Sequence, residues 1–414
     1  MNYPIEDSAS QFFKAVNLIT PNNKWVISNY DLLHYHIARF RSLLEKAEEN
    51  STQMLYYTVS SSTRLWKEEG YQSLLGDKVR VLLPERGKHS FWWEESFAVW
   101  KALEQDRPDV VGIVGYAEPY SLASLVWCKY RRKKAICLHV TTEWDRPRYW
   151  WKEQIKRLIV KQFDAGICGG NPQAAYLNKL GIPYERIFFK LNTVDNQYYA
   201  SRAEEVRKEA GEWMRRLGLP EKFFLTASRF APNKNIEGII RAYALYRYQT
   251  DREPWDLVIA GKGSTERIIR QLIADYGLSN HVHLVGYQNT EQMAVLYGLA
   301  GAFILASRNL EPWGLVVNEA MAAGLPVLVS NKCGCTQNLV LEGKTGFSFD
   351  PDDYVVLANR MVLLSSTKVD LTKMGRNAQN HIANYSTEDF AVQFVETAKM
   401  VTNLSKRDLN NASN

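Results

Sequence analysis

Short apolar runs alternate with amphipathic helical patterns through the first half of this 414-residue chain. The runs have the length and the β-branched and aromatic content of strands, and apolar residues recur at helical spacing between them. Such alternation predicts an α/β fold with a parallel, Rossmann-like sheet. The predicted strands are Trp25–Asn29, Met54–Val59, Val79–Leu83, Val110–Val114, Ala135–Val140 and Ala165–Cys168. The predicted helices include Tyr35–Ala47, Trp92–Gln105, Pro119–Lys129 and Trp151–Gln162.

The length of the chain predicts a second domain, because single hydrophobic cores stop growing at about 250–300 residues. We expect one domain over residues 1–200 and another over residues 201–387, entered by a helix over Arg202–Leu217. A helix within about residues 388–404 is expected to pack back on the first domain. Residues 405–414 are polar and predict a disordered tail.

Two carboxylates eight positions apart mark a ligand site. Glu311 lies in a Pro- and Gly-containing loop, and Glu319 is predicted to open a short helix that Gly324 stops. A buried strand follows over Pro326–Ser330, so both carboxylates should lie at the edge where open α/β sheets bind ligands. Carboxylates that face a cleft suit a neutral polyol, because they accept hydrogen bonds from its hydroxyls.

Two cations upstream suit an anionic ligand. Arg229 and Lys234 follow the strand pattern at Leu225 and precede an amphipathic helix over Ile236–Tyr248. A guanidinium and an ammonium at a strand-to-helix turn, beside a helix N-terminus, predict a diphosphate site. Together with the polyol-binding carboxylates, they indicate a nucleotide-sugar site.

The stretch from about Phe224 to Ser365, roughly a third of the chain, resembles the C-terminal domain of the family 4 glycosyltransferases, which have the GT-B fold. The resemblance rests on several segments in the family's order and spacing. They are Ala227–Asn235, Leu257–Gly263, Val282–Tyr287, the Glu311/Glu319 pair, Asn331–Cys335, Gly343–Phe347 and Phe349–Asp353. Leu191–Asp195 also resembles the family's crossing between two Rossmann-like domains that face an interdomain cleft.

The resemblance implies a retaining transferase that moves a hexosyl group from a nucleoside-diphosphate sugar to an acceptor hydroxyl and needs no metal or other cofactor. It implies that Glu311 contacts the transferred sugar and Glu319 the ribose, while Arg229 and Lys234 hold the diphosphate. Further donor-binding positions carried over from the family are Gly261, Gly286, Tyr287, Gln288, Trp313, Gly314 and Leu315, with backbone groups at 286–288 near the base. From the residues themselves, we interpret Asp350–Asp353 as the N-cap of a helix from Tyr354.

The acceptor side departs from the family pattern, because no glycine follows the first strand in Ser28–Arg39. His36 is a cleft candidate there, although a helix-face role is favoured. His139 or Glu143 takes the position of a cleft histidine found in many members, and strand alternation would equally bury His139. Glu118 either receives an acceptor hydroxyl or caps the following helix, and we favour the cap.

Charge is unevenly distributed along the chain. Residues 1–200 carry 27 basic and 22 acidic residues of a chain whose net charge is +6. The excess is concentrated in Lys129–Lys134 and Arg146–Lys161, with tryptophans interleaved. This mixture suits peripheral contact with an anionic membrane surface. A solvated helix flanked by core aromatics is the slightly favoured alternative. Nucleic acid is disfavoured, because no nucleic-acid-binding motif accompanies the charge.

The remaining features predict a cytoplasmic protein. No apolar run approaches the ~20 residues that span a bilayer, the N-terminus lacks the pattern of a signal peptide, and the five cysteines form no disulfide framework. A nucleotide-sugar-binding protein without transfer activity remains an alternative function. An NAD-dependent oxidoreductase is disfavoured, because Ser28–Leu33 lacks Gly-x-Gly-x-x-Gly.

Overall fold

The computed structural model describes residues 23–60, 75–84, 91–309 and 311–411. The chain separates into two compact units. The first takes in residues 1–137, 162–165 and 394–414, and the second takes in residues 138–161 and 166–393, so far as these are described. Two Rossmann-like parallel sheets organise the described chain, as the strand–helix alternation predicts.

The first sheet has seven strands in the order β3-β2-β1-β4-β5-β6-β7. Strand β1, in the interior of this sheet, pairs in parallel with β2 on one side and with β4 on the other, so that Trp25 lies opposite both Met54 and Val110. The strands are β1 Asn23–Asn29, β2 Thr52–Thr58, β3 Val79–Val81, β4 Val110–Val114, β5 Lys134–His139, β6 Ala165–Cys168 and β7 Ile187–Phe188. The associated helices are α1 His34–Glu49, α2 Trp92–Asp106, α3 Pro119–Tyr130, α4 Trp150–Val160 and α5 Asn171–Leu180.

The second sheet has six strands in the order β10-β9-β8-β11-β12-β13, all paired in parallel. Its strands are β8 Phe223–Ala227, β9 Asp256–Ala260, β10 Val282–Gly286, β11 Ala302–Leu305, β12 Val327–Ser330 and β13 Gly346–Phe349. The helices of this half of the chain are α6 Asn196–Lys208, α7 Ala210–Leu217, α8 Ile236–Gln249, α9 Glu266–Asp275, α10 Thr290–Leu299, α11 Leu315–Ala322, α12 Thr336–Leu339, α13 Tyr354–Ser365, α14 Leu371–Ile382 and α15 Thr387–Asn411.

Strand β8 shows why this sheet is buried on both faces. Phe223 and Leu225 belong to one hydrophobic cluster, and Phe224 between them belongs to another. Successive strand residues point to opposite faces, so a continuously apolar strand supplies both clusters. The sheet is therefore covered by packed side chains on its two sides, and its polar ligand-binding groups must come from the loops at its edges.

The strand and helix predictions are confirmed to within a few residues, apart from those for α6 and α7, for β7 and for the start of α11. The single helix expected over Arg202–Leu217 is wrong, because the chain forms α6 and α7 with a break at Glu209 (φ −125°, ψ 30°). The short strand β7 has no counterpart in the prediction.

Helix α15 belongs to the first unit from Phe394 onward. The ring of Phe394 lies 6.3 Å from that of Trp25 in an edge-to-face arrangement, and Lys399 donates to the side chain of Asn50. The helix extends to Asn411, beyond the predicted end at about residue 404. The predicted N-cap of α13 is confirmed, since the Asp353 carboxylate accepts from the N–H groups of Val355 and Val356.

Candidate functional site

Glu311 and Lys234 are in direct contact. The Lys234 ammonium donates to the Glu311 carboxylate, and the two side chains are only 13% and 12% exposed. The hydroxyl of Ser307 donates to the same carboxylate oxygen at 2.9 Å. Lys234 ends the 3₁₀ turn that follows β8, and Glu311 lies in the loop that follows β11. Because β8 and β11 are neighbours in the sheet, the loops at their carboxyl ends meet.

The loop of Glu311 is supported by the Cys333–Cys335 segment. The N–H of Gly334 donates to the Glu311 carbonyl at 3.0 Å, and the N–H of Cys335 donates to the Trp313 carbonyl at 3.2 Å. A Cβ atom at Gly334 would lie 1.9 Å from the Pro312 carbonyl oxygen, so only glycine permits this approach. Both thiols are free and buried, and burial raises the pKa of each. The segment therefore acts as a backbone support for the loop.

Arg229 lies on the same side of the sheet but is exposed. No hydrogen bond or ion pair joins its guanidinium to another residue within the described ranges. The turn that carries it is fixed by the loop after β9, because the N–H of Phe230 donates to the Lys262 carbonyl at 3.0 Å. The backbone of Arg229 is thus held while its side chain is available to a ligand.

Gly261 allows the turn that carries Arg229 to pack closely against the loop after β9. Its φ is +138°, and a Cβ atom there would lie 1.9 Å from the Ser228 carbonyl oxygen. The N–H of Gly261 donates to the Gly286 carbonyl at 2.7 Å, which ties the ends of β9 and β10 together. Gly261 is therefore a structural requirement of the loop that supports Arg229.

Glu319 is buried, with 7% of its surface exposed. The hydroxyl of Tyr297 donates to its carboxylate at 2.8 Å, and the hydroxyl of Tyr199 is also bonded to it. Burial, reinforced by the Glu319 charge, raises the pKa of both tyrosines, so they remain donors. The prediction that Glu319 opens the helix is wrong, because α11 begins at Leu315 and Glu319 is its fifth residue.

Helix α11 begins beside the Glu311 loop. Gly314 is its N-cap, with φ +102°, and Leu315 is its first residue. The first N–H groups of a helix have no intrahelical partners, so they are available to an anion or a hydroxyl. The Trp313 side chain is 3% exposed and donates through Nε1 to Asn318 at 2.8 Å. Its contribution to a ligand site would therefore come from its backbone.

Residues 286–288 form the turn after β10. Gly286 has φ +73°, Tyr287 is 67% exposed, and the Gln288 side chain donates to the Val285 carbonyl at 2.6 Å. The ammonium of Lys262 lies 5.7 Å from the Tyr287 ring centroid. An exposed aromatic ring at this position offers a stacking surface to a planar ligand.

His139 and Glu143 differ in accessibility. His139 is 1% exposed at the end of β5, and burial lowers the pKa of its imidazole to about 3. Its ring lies 5.8 Å from that of Tyr176, so it packs as a neutral core residue. The Glu143 carboxylate is exposed and pairs with the Lys179 ammonium.

His36 and Glu118 belong to the first unit. His36 lies in the first turn of α1, where its Nδ1 accepts from the N–H of Leu33 at 3.1 Å. Desolvation, with the nearby charges of Arg39 and His34, holds the pKa of His36 well below its ordinary value. Glu118 occupies the N-cap position of α3, but its side chain makes no capping hydrogen bond, so the favoured capping role is wrong.

The comparison with protein families matches residues 210–381 to the model described as "Glycosyl transferases group 1". We call residues 210–381, which match this model, the group 1 domain. It contains Arg229, Lys234, Glu311 and Glu319 together with the loops that position them.

Among curated relatives, the chain is 25% identical over 242 residues to an N-acetyl-alpha-D-glucosaminyl L-malate synthase of Bacillus anthracis. The matched region covers 58% of this chain and 60% of that protein. It is 33% identical over 130 residues to a D-inositol 3-phosphate glycosyltransferase of Corynebacterium urealyticum, covering 31% of this chain and 30% of the relative. The chain thus spans less than two thirds of the length of these relatives.

Among solved structures, the chain resembles Anabaena Alr3699/HepE in complex with UDP-glucose. The TM-score is 0.69 at 17% identity, over 92% of this chain and all of that one. At this identity the likeness shows the fold alone, which is the fold of GT-B glycosyltransferases.

Of the four predicted residues in the group 1 domain, the structure brings Lys234 and Glu311 into contact. Glu319 is hydrogen-bonded to tyrosines, and the Arg229 side chain contacts none of the other three. Ser307, Tyr199 and Tyr297 were not predicted. Ser307 follows β11, so its place at a strand end was a usable signal. The tyrosines lie in helices α6 and α10, where nothing local in the sequence marks them as carboxylate partners.

Two further observations concern ions and membranes. Across the described residues, no group of three or more His, Cys, Asp and Glu side chains is placed to hold a metal ion. Of the helices that the structure describes, none combines the length and hydropathy needed to cross a membrane.

Proposed function

We propose that the protein is a retaining, metal-independent glycosyltransferase that moves a hexosyl group from a nucleoside-diphosphate sugar to an acceptor hydroxyl. The observation that carries the proposal is the contact between Lys234 and Glu311 inside the group 1 domain. In the proposed roles, Lys234 holds the diphosphate and Glu311 the sugar, and their contact supports these roles because the two groups must be adjacent at the bond that breaks.

The donor is proposed to lie along the loops at the carboxyl ends of the second sheet. Arg229 and Lys234 would hold the diphosphate, with help from the first N–H groups of α11 at Gly314 and Leu315. Glu311 would accept from the sugar hydroxyls and Glu319 from the ribose hydroxyls. Gly286, Tyr287 and Gln288 would meet the base, and Gly261 would maintain the loop beneath them. Alr3699/HepE was solved with UDP-glucose, so a uridine nucleotide is the first donor to test.

In the proposed reaction, the acceptor oxygen bonds to the anomeric carbon on the face from which the diphosphate departs. The bond between that carbon and the diphosphate oxygen breaks, and its electron pair leaves with the nucleoside diphosphate. The acceptor hydroxyl gives its proton to the departing phosphate oxygen. Arg229 and Lys234 stabilise the developing charge, which is electrostatic catalysis by preorganised cations. Metal independence is proposed because these two side chains supply the positive charge.

On the acceptor side, Glu143 is the better of the two neighbouring candidates. Its carboxylate is exposed, whereas His139 is buried and packs against Tyr176. His36 and Glu118 remain acceptor-side proposals of lower rank, since the His36 ring already accepts from Leu33. Cytoplasmic location is also proposed, and it is supported by five cysteines that are all free and buried.

The proposal is tested by thermal unfolding of the purified protein with UDP, GDP, ADP and their sugar conjugates. We expect stabilisation by one base series and its loss in Glu319→Gln. The control is Glu95→Gln, because Glu95 is also 7% exposed and lies in α2, outside the group 1 domain. Stabilisation that survives in Glu319→Gln would contradict the ribose assignment, and no stabilisation by any nucleotide would contradict the donor site.

Activity is tested separately with the identified donor. Transfer or slow donor hydrolysis that persists in EDTA supports the metal-independent reaction, and retention is read from the anomeric configuration of the product. Donor binding without either reaction would instead favour the alternative of a nucleotide-sugar-binding protein.

A further inference from the structure

Helix α4 turns its apolar residues away from the protein. Trp151, Ile155 and Leu158 are spaced by four and three residues, so they form one stripe along the helix. Their exposed fractions are 49%, 50% and 69%, and the neighbouring Trp150 is 79% exposed. We call Trp151, Ile155 and Leu158 the α4 stripe. Only Val160 of this helix is buried.

Glu153 and Lys156 of the same helix point inward, whereas Lys152 and Arg157 are exposed. The hydroxyl of Tyr176 donates to the Glu153 carboxylate at 2.9 Å, and the Lys156 ammonium pairs with that carboxylate at 2.6 Å. The Arg148 guanidinium lies 4.6 Å from the Tyr176 ring centroid. An amphipathic helix on a globular protein normally buries its apolar stripe and exposes its charges. Helix α4 has the reverse orientation, so its stripe is not explained by the core.

Positive charge surrounds the stripe. Residues 144–161 contain six Lys and Arg and two Asp and Glu. The Lys152 ammonium lies 4.9 Å from the Tyr149 ring and 5.2 Å from the Trp151 ring, beside the stripe. Of these basic residues, Arg146, Lys152, Arg157 and Lys161 are exposed, whereas Arg148 and Lys156 take part in the inward contacts with Tyr176 and Glu153. The surface thus presents exposed tryptophans and aliphatic side chains within a basic border.

We propose that the α4 stripe docks on an anionic bilayer surface, lying in the plane of the interface. The tryptophans and aliphatic residues would enter the boundary between headgroups and acyl chains, and the basic border would contact lipid phosphates. A second copy of this chain is a poorer occupant, because two faces of the same positive charge repel each other. This inference goes beyond the proposed function, since it concerns a surface and not the donor site.

The experiment is flotation of the full chain with vesicles of phosphatidylcholine alone or mixed with phosphatidylglycerol. We expect binding to the anionic vesicles only. Raising the ionic strength from about 0.1 M to about 1 M should release the protein, because it shortens the Debye length from about 10 Å to about 3 Å. Binding of this kind needs no transfer activity, so its outcome does not depend on the donor or on catalysis.

The decisive variant is Ile155→Gln/Leu158→Gln, which should lower the vesicle partition coefficient roughly tenfold or more by removing buried apolar surface. Its matched control is Ile268→Gln/Leu217→Gln, since Ile268 and Leu217 are exposed aliphatic residues on α9 and α7, at 49% and 45%. Both variants should retain the unfolding temperature of the wild type.

Three results would overturn the proposal. They are absence of binding to anionic vesicles, equal binding by the α4 variant, and equal losses in the α4 and control variants. A change in sedimentation coefficient of the α4 variant with unchanged vesicle binding would assign the stripe to self-association instead.

Discussion

Lys234 and Glu311 share one ion pair at the carboxyl ends of two neighbouring strands, and both are nearly buried. The pair neutralises two charges that would be costly to bury singly. A bound nucleotide sugar would replace this ion pair with two contacts. Its phosphate would contact the Lys234 ammonium, and its sugar hydroxyls would donate to the Glu311 carboxylate. The pair therefore holds both side chains where the proposed reaction needs them.

Replacement of Lys234 by Met should lower both stability and activity. The Glu311 carboxylate would retain Ser307 but lose its cation, which we expect to reduce the free energy of unfolding by roughly 1–3 kcal/mol. Turnover should fall by about 10²–10³-fold through loss of one charge contact. Urea unfolding and initial rates measure the two effects. The double variant Lys234→Met/Glu311→Gln should be no less stable than Lys234→Met alone, and additive losses would argue against the ion pair.

Arg229→Ala separates catalysis from stability. The side chain is exposed, so its removal should change the free energy of unfolding by no more than about 0.5 kcal/mol. Turnover should nevertheless fall by about 10²–10³-fold if the guanidinium stabilises the departing diphosphate. A variant with near-normal turnover would remove Arg229 from the proposed mechanism.

Tyr297→Phe tests the support of Glu319. Loss of the hydroxyl leaves the buried carboxylate with one tyrosine donor fewer, and we expect a cost of about 1 kcal/mol in unfolding free energy. Nucleotide affinity should also fall, because the carboxylate loses its orientation. Calorimetric titration with the stabilising nucleotide is the measurement. Tyr243→Phe serves as control, since Tyr243 is also buried but donates to the carbonyls of Trp255 and His281; equal loss of affinity in both would refute the specific role.

Gly261→Ala should be severely destabilising. The new Cβ atom would meet the Ser228 carbonyl oxygen at a backbone φ of +138°, which we expect to cost roughly 3 kcal/mol or more. Gly277→Ala provides the comparison, because Gly277 also has a positive φ (+65°) but has no atom within 4 Å of the added carbon. That control should lose only about 1–2 kcal/mol. Similar losses in the two variants would show that the contact with Ser228 is unimportant.

His139 predicts a loss of stability on mild acidification. Its folded-state pKa of about 3 lies below its ordinary value of 6.5, so the unfolded chain binds more protons between these values. The contribution of His139 to the free energy of unfolding is therefore complete above pH 6.5 and declines as the pH falls toward about 3. Between about pH 7 and pH 5 the wild type should lose about 2 kcal/mol more than His139→Gln. Parallel urea-unfolding profiles for the two proteins would contradict the buried, neutral state.

The meeting of Lys234 and Glu311 illustrates what a sequence can predict. Each follows an apolar strand pattern, and side chains that follow parallel strands gather at one edge of the sheet. What could not be predicted is that these two, rather than Arg229 and Glu311, make the pair. This pairing depends on how far each loop extends from the sheet and in which direction. The packing of the Cys333–Cys335 segment and of Gly261 fixes both.

Helix orientation and helix ends were harder to predict. The periodicity of α4 reveals a stripe at Trp151, Ile155 and Leu158 but not the direction in which it faces. Helix α11 begins at Leu315, before its predicted start at Glu319, because tertiary packing overrides the loop pattern of Pro312 and Gly314 on which the prediction rests. The break at Glu209 has one local signal, Gly211 two residues later, and the prediction of a single helix overlooks it.

The close approach of Gly261 to Ser228 also bears on how such a chain can diverge. Substitution there is blocked by a carbonyl oxygen at 1.9 Å, whereas the side chain of Tyr287, across the Gly261–Gly286 hydrogen bond, projects into open space with 67% of its surface exposed. Substitution is therefore blocked at position 261, whereas position 287 can accept many different side chains. In the proposed donor site, descendants of this protein could therefore exchange one nucleobase for another through residue 287 while the turn that carries Arg229 stays unchanged.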